Sequence, residues 1–541
     1  MKKTILLLLF LFTYSNTIIA QNKFSETEKL TTLAKIYGFL KYYHPEVGKG
    51  KYEWDQEFIK HLPEIMKATD KESLSLIYIN WINSLGEIEN CKKCDSKENY
   101  FDKNFDLSWT QDSTFFTNEL SSKLKYIEKN RNQGENFYVS IEPQGNIKVT
   151  NEPIYKNFEY PNEEYRLLGL FKYWNIIEYF YPYKYLTDQN WNSVLNEVIP
   201  KFRNSSNKSE YQYTIKELVA KLDDSHAFIT FTNERQKHLP IKISHIENRT
   251  VVSGFFNDSL AKLNGLKLGD IILKINGVDI TKEVEKKSKY VSGSNANFKT
   301  KKALSSILIG KENIVTLEIE RDNQIKQIQV NRYNFKDFNY SYNPKIKSTS
   351  INKNIGYINM TGKFGVKEFD EIFEHFKSKK TIIVDLRGYP QLKYKMYTRY
   401  FNSKKRDFAS KYTPNIHYPG NFYFHENLKT NNSKKAFKGK FIILVSEDCL
   451  SLSEFTIMAF QTADNVITIG NQTAGADGRN IKIDYLGGYK TYFTGIGISY
   501  PDGSESQRKG VKIDIEIKPT INGLRQGRDE VLEKAIEVAN K

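Results

Sequence analysis

The chain has 541 residues, of which 39% are hydrophobic and 14% aromatic, and its formal net charge is +16. That length exceeds what one hydrophobic core organises, so about three or four domains are expected, and the apolar content excludes a disordered or fibrous chain. Lysines and carboxylates are interleaved along the whole chain with no dense basic tract. The positive balance therefore reads as a solvated surface, with no nucleic-acid partner expected.

Residues 1–20, "MKKTILLLLFLFTYSNTIIA", set two lysines before a short apolar run and end in Thr-Ile-Ile-Ala ahead of Gln21. This is the pattern of a secretory signal peptide cut after Ala20. No later stretch is apolar enough to span a bilayer, so the mature protein is expected to be exported, periplasmic or extracellular, without stable membrane insertion. Cys91 and Cys94 frame "CKKC", and no second Cys or His pair stands at metal-ligand spacing. A local disulfide or two ordinary thiols is expected, with no metal or cofactor.

Residues 21–99 and 161–238 read as two copies of one helical unit. "LAKIYGFLKYYHPEVGKGKYEWDQEFIKHLPEI" aligns with "LFKYWNIIEYFYPYKYLTDQNWNSVLNEVIPKF" at a constant offset of 137 residues. The offset pairs Tyr42 with Tyr179, Pro45 with Pro182, Trp54 with Trp191, Pro63 with Pro200 and Leu85 with Leu222. Apolar residues recur at helical spacing in both. The copies then part. The first runs on as "LGEIENC" and the second as "LDDSHAFITF", so only the second acquires Ser225 and His226. Between the copies, residues 100–160 hold short alternating stretches such as "FYVSIEP" and "GNIKVTNEP", which predict a small β-rich segment.

Residues 239–335 set short β-like runs between Gly and Asn-Gly turns. The stretch 261–280, "AKLNGLKLGDIILKINGVDI", resembles the PDZ pattern of secreted proteases: a small helix, G-L-x-x-G-D, a strand, then N-G. The resemblance implies a domain that binds a polypeptide by strand addition. Its C-terminal carboxylate would be cradled on backbone N–H groups, here near Gly265 and Leu266. From 345 to 541, strands such as "IGYINM", "TIIVDLRGYP", "FIILV" and "VITIG" alternate with amphipathic helices, which predicts a mostly parallel sheet covered on both faces.

Within this region, "FIILVSEDCLSLSEFTIMAF" hands a buried strand to a helix through Ser-Leu-Ser-Glu. Ser451 and Glu454 fit the S-x-x-E capping box, the commoner meaning of such a match. A serine at a helix N-terminus also lies beside unpaired N–H donors and the positive end of the dipole, where an oxyanion is stabilised, so Ser451 is equally a candidate nucleophile. Cys449, two residues earlier, reads as a small packing residue. The Asp-Leu-Arg-Gly run ending at Gly388 also lies just past a strand end, where such sheets gather catalytic groups.

The order of these features resembles the C-terminal processing (tail-specific) peptidases and the tricorn core protease, one clan of serine peptidases, over roughly residues 165–540. The resemblance implies a multidomain α/β protein: an N-terminal helical repeat region, a PDZ-like β domain, and a crotonase-like catalytic core of the ClpP/tail-specific protease type. It makes Ser451 the nucleophile and turns Ser453 toward the helix packing. The processing branch draws a lysine base from a T-x-G-K-G turn. Here the turn reads "TAGADG", with Ala476 at the lysine position. The tricorn branch uses a histidine preceded by serine, which "DDSHAF" supplies as Ser225 and His226. His226 would take the serine proton and return it to the leaving amine.

The resemblance also calls for an orienting acid near the final Gly-Val, with Glu505 as first choice and Gln507 as second. The oxyanion donors would be the N–H groups of Gly388 and Leu452, although Tyr389-Pro390 stands where the family has Asn after Arg-Gly. The implied activity is an exported serine endopeptidase whose PDZ domain recruits or gates a polypeptide. The alternative is a catalytically silent relative that binds peptides or small apolar ligands.

Overall fold

The computed structural model describes residues 24–94, 100–231, 236–340, 344, 346–391 and 394–541. The signal-peptide reading of residues 1–20 lies outside them. No helix among the described residues is long and apolar enough to cross a membrane. The chain divides into two compact units, Met1–Ser96 with Asp106–Asn136, and Lys97–Phe105 with Phe137–Lys541.

The first unit is helical. Helix α1, Glu26–Tyr43, starts at a capping box between Ser25 and Glu28 and buries nearly its whole length from Lys29 on. Helix α2, Trp54–Lys67, carries one apolar stripe, and helix α3, Lys71–Ser84, starts at the Asp70 cap. The Trp54 indole N–H donates to the Tyr37 carbonyl at 3.2 Å, and Trp54 stacks on Trp81 at 5.3 Å. Cys91 and Cys94 form a disulfide. A further helix, Asn118–Lys129, also belongs here. This corrects the β-rich reading of 100–160. Leu120, Leu124 and Ile127 recur at helical spacing and are buried, so the stretch folds on that stripe. The β-structure reduces to Tyr100–Phe101 and a hairpin of Val139–Ile141 with Ile147–Val149, all in the second unit.

The second unit opens its own helices: α4, Glu163–Phe180, α5, Trp191–Asn204, and α6, Lys208–Ala220. Each starts 137 residues after its counterpart among α1, α2 and α3. The Trp174 and Trp191 indoles each donate to the other's carbonyl, at 3.0 and 3.1 Å.

A PDZ-sized sheet follows, with strands Ile241–Ile246, Arg249–Phe255, Ile271–Ile275, Ile314–Arg321 and Gln324–Asn331. Ile241–Ile246 is one edge. Helix α7, Ala296–Ile307, gives Leu304 and Ile307 to the core of this domain.

The last region is built on a six-stranded sheet: β1 (Ser348–Ser350), β2 (Ile355–Asn359), β3 (Thr381–Asp385), β4 (Lys440–Val445), β5 (Val466–Gly470) and β6 (Ile515–Glu516), in that order. Only β1 is antiparallel to its neighbour. Alternate residues of a strand point to opposite faces. Phe441, Ile443 and Val445 of β4 thus enter one core, with helix α8 (Leu452–Phe460) and helix Val366–Phe376. Ile442 and Leu444 enter the other, with helix Glu530–Asn540. The sheet is covered on both faces, as its apolar strands require.

Candidate active site

Strand β4 ends in a turn that presents Ser451 at the start of α8. Ser451 adopts φ 59° and ψ −119°, a left-sided backbone conformation that a residue with a Cβ reaches only at a cost of about 1–3 kcal/mol. It makes no side-chain cap hydrogen bond to the helix, so the Ser451 side-chain half of the capping box is absent. Glu454 has another task. Fully buried, it accepts the Thr473 hydroxyl at 2.5 Å, the Gly475 N–H at 2.8 Å and the Ala476 N–H at 3.0 Å. Burial nevertheless pushes its pKa up to about 7, against those hydrogen bonds. The turn 473–477, which lacks a lysine, is therefore tied to α8 by a glutamate.

The same turn links the two candidate catalytic segments. The Ser451 N–H donates to the Ala476 carbonyl at 3.0 Å, and the Ser225 hydroxyl donates to the Ala474 carbonyl at 2.8 Å. Two residues of chain span at most about 7 Å. Ser225 and Ser451 are thus fastened to one short segment although 226 positions separate them.

His226 is placed by strand register. Phe228–Thr230 pairs antiparallel with Tyr489–Thr494, with Phe228 opposite Tyr492. Continuing that register by two residues sets His226 opposite Thr494. The imidazole Nδ1 lies 2.8 Å from the Thr494 hydroxyl, which donates to Asp224 Oδ1 at 3.0 Å. A hydroxyl that donates to a carboxylate must accept from the other side, so Nδ1 carries the proton and Nε2 keeps its lone pair. Asp224, fully buried, also accepts the N–H groups of His226 and Thr494. The His226 pKa is lowered, chiefly by burial; the Asp224 charge opposes this, and the charge of Lys302 adds a lesser lowering. The ring is held neutral, in the tautomer of a base.

The remaining assignments divide. The Ser453 hydroxyl shares its proton between the carbonyls of Leu386 and Gly388, both at 3.1 Å, in the turn after β3. Cys449 is buried and its thiol is pushed up to about 12 by burial, which leaves it a packing residue. Leu452 opens the first turn of α8, where amides have no intrahelical acceptor. Gly388 sits so close to Thr361 that a Cβ would meet its methyl at 2.6 Å, so glycine is needed there for packing. Tyr389, half exposed, has its phenol pKa raised by burial and by Asp477, and lowered by its contact with the Ser451 side chain.

Two expectations need correcting. Glu505 does not orient His226. Ser499 pairs with Glu505, whose carboxylate accepts the Tyr185 hydroxyl at 2.6 Å and lies 3.5 Å from Lys103. Its alternative, Gln507, donates instead to the Ser294 hydroxyl at 3.3 Å. Gly265 and Leu266 are not a carboxylate cradle. Their N–H groups donate to Lys262 and Ala261 and close the helix Asp258–Leu263. Sequence reasoning missed Asp224 and Thr494 as partners of His226. The first stood in the quoted "DDSHAF" without a role, and the second had no local signal.

Residues 354–517 match the model of Peptidase family S41, and residues 235–349 match that of a PDZ domain. The class these define is a serine-type peptidase with a PDZ domain. Within that class, the segment that carries Ser451 is the one that matches the S41 model. No curated protein matches the chain. Among solved structures, mature CPAF complexed with lactacystin is 14% identical, with a TM-score of 0.56 over 70% of this chain and 98% of that one. A putative peptidase from Parabacteroides merdae ATCC 43184 is also 14% identical, with a TM-score of 0.44 over 70% and 96% of the two chains. The photosystem II D1 C-terminal processing protease is 15% identical, with a TM-score of 0.40 over 68% and 98%. The likeness to CPAF is one of fold.

Proposed function

We propose that this protein is an exported serine endopeptidase in which Ser451 attacks the scissile carbonyl and His226 is the general base. The observation that supports this reading is the Asp224–Thr494–His226 chain, which favours a proton on Nδ1 and a free lone pair on Nε2. His226 takes the Ser451 proton as the hydroxyl oxygen bonds to the carbonyl carbon. It then gives that proton to the amine as the C–N bond breaks, and water repeats the sequence to free the acyl group. The oxyanion meets the Leu452 N–H and the positive end of α8. Glu454 keeps the 473–477 turn in place, and that turn holds both Ser225 and Ser451.

The PDZ domain recruits or gates the polypeptide, and its edge strand Ile241–Ile246 is the place for strand addition. We read the sheet with its helices as the crotonase-like core, and α1–α3 and α4–α6 as a duplicated unit. The test is hydrolysis of unfolded casein by the purified chain. Release of peptides by wild type and none by Ser451→Ala supports the reading. Equal release by both overturns it.

A further inference from the structure

Helix α7 belongs to the PDZ core through Leu304 and Ile307, yet its opposite end reaches the peptidase loops. The Lys302 ammonium donates to the Ser225 carbonyl at 2.8 Å and to the Ala227 carbonyl at 3.1 Å, the carbonyls of the two residues on either side of His226. Neighbouring residues add to the grip. The Ser292 hydroxyl accepts the Asp224 N–H at 2.9 Å, and Ser294 and Ser225 exchange hydrogen bonds at 2.8 and 2.9 Å. Asn295 donates to the Thr473 carbonyl at 2.9 Å, and Lys301 pairs with Asp448, three residues before Ser451. A cation withdrawn from water onto two carbonyls is a costly arrangement for a lysine that merely packs.

We propose that Lys302 is a positioning residue of the peptidase site: it clamps the backbone on both sides of His226 and holds a positive charge beside that loop. Its catalytic meaning rests on the Ser451–His226 reading above. Asp224 and Lys302 act on the imidazole with opposite signs. Asp223, one residue before Asp224, is turned to Lys299 at 3.9 Å and Arg508 at 3.3 Å. Asp224 also acts on Lys302, whose pKa burial pushes down to about 8, so its charge persists through neutral pH. Removing that charge favours the imidazolium, and the His226 midpoint rises. The PDZ domain on this account is part of the catalytic structure and not a detachable recruiter.

The experiment is an NMR titration of the histidine ring carbons in the full-length chain, with the His226 signal assigned by its loss in His226→Gln. Lys302→Met is expected to raise the His226 midpoint by about half a pH unit or more, and Lys302→Arg to return it toward wild type. In parallel, the rate of labelling by a fluorophosphonate is read against pH. Lys302→Met is expected to move the acid limb upward and to lower the plateau at least tenfold. An unshifted His226 midpoint overturns the proposal, as does a lowered plateau with an unshifted limb, which is a packing defect alone. Should Lys302→Met not fold, Lys302→Gln keeps a donor, removes the charge and carries the same expected rise. A moved midpoint in a chain that no probe labels keeps the clamp and removes the Ser451–His226 reading.

Discussion

The helices α1–α3 and α4–α6 are matched in position down to their caps, yet only one set leads to the proposed base. Ser25 and Asn162 cap the first helices, and Asp70 and Asn207 the third. Trp54 and Trp191 each donate to the preceding helix. After α3 the chain passes into the exposed residues Glu87 and Glu89. After α6 it turns at Asp223, in the left-handed region with φ 48°, and buries Asp224, Ser225 and His226. A buried histidine alone does not make a base, and the first set contains the proof. His61 is also buried, but it stacks on Trp81 at 4.5 Å between Glu57 and Glu64. His226 differs in having one ring nitrogen committed to a polar chain that ends in a carboxylate.

Substitutions sharpen or break this comparison. The largest effect is expected at His226. His226→Ala should lower the acylation rate of Ser451 by about 10³-fold or more, as loss of a general base does in serine peptidases. Next come the paired tryptophans. Trp54→Ala and Trp191→Ala should each cost about 3–5 kcal/mol in urea unfolding. A small cost at either site would show that the two sets are not packed on the same principle.

Thr494→Val removes the hydroxyl that fixes the tautomer and should reduce kcat/KM by about 10- to 100-fold with little change in KM. An unchanged rate would leave Asp224 without a role in catalysis. The pH profile follows from the lowered His226 pKa. The neutral base is present above that pKa, so kcat/KM should fall toward acid with a midpoint below 6.5, the ordinary histidine value. Stability has the same sense. Unfolding restores the ordinary pKa and binds a proton, so this contribution is present above 6.5 and is lost as pH falls through the folded value. The smallest effect is expected at the position in the first set that matches His226. Glu89→Ala should change neither rate nor stability beyond about 0.5 kcal/mol.

Much of this was legible in the residues. The unbroken apolar runs of β3 and β4, the helical spacing of the two matched sets and the strand-to-helix step at Ser451 are local patterns, and local patterns survive folding. The failures share a cause. Thr494 lies 268 residues from His226, and only the pairing of Phe228–Thr230 with Tyr489–Thr494 brings them together. Glu505 stands near the final Gly-Val in sequence, but its pairing with Ser499 turns its carboxylate toward Tyr185. The capping box at Ser451 had the right residues at the right spacing. A buried turn 19 to 22 residues further on also binds the Glu454 carboxylate. Asn118–Lys129 was obscured by the alternating stretches around it, although its own apolar residues keep helical spacing.

The most direct test of the central claim is fluorophosphonate labelling of folded wild type, Ser451→Ala and His226→Ala near pH 7.5. The account expects one label on wild type, none on Ser451→Ala and almost none on His226→Ala. Undiminished labelling of His226→Ala, or a folded wild type that takes no label, would contradict it.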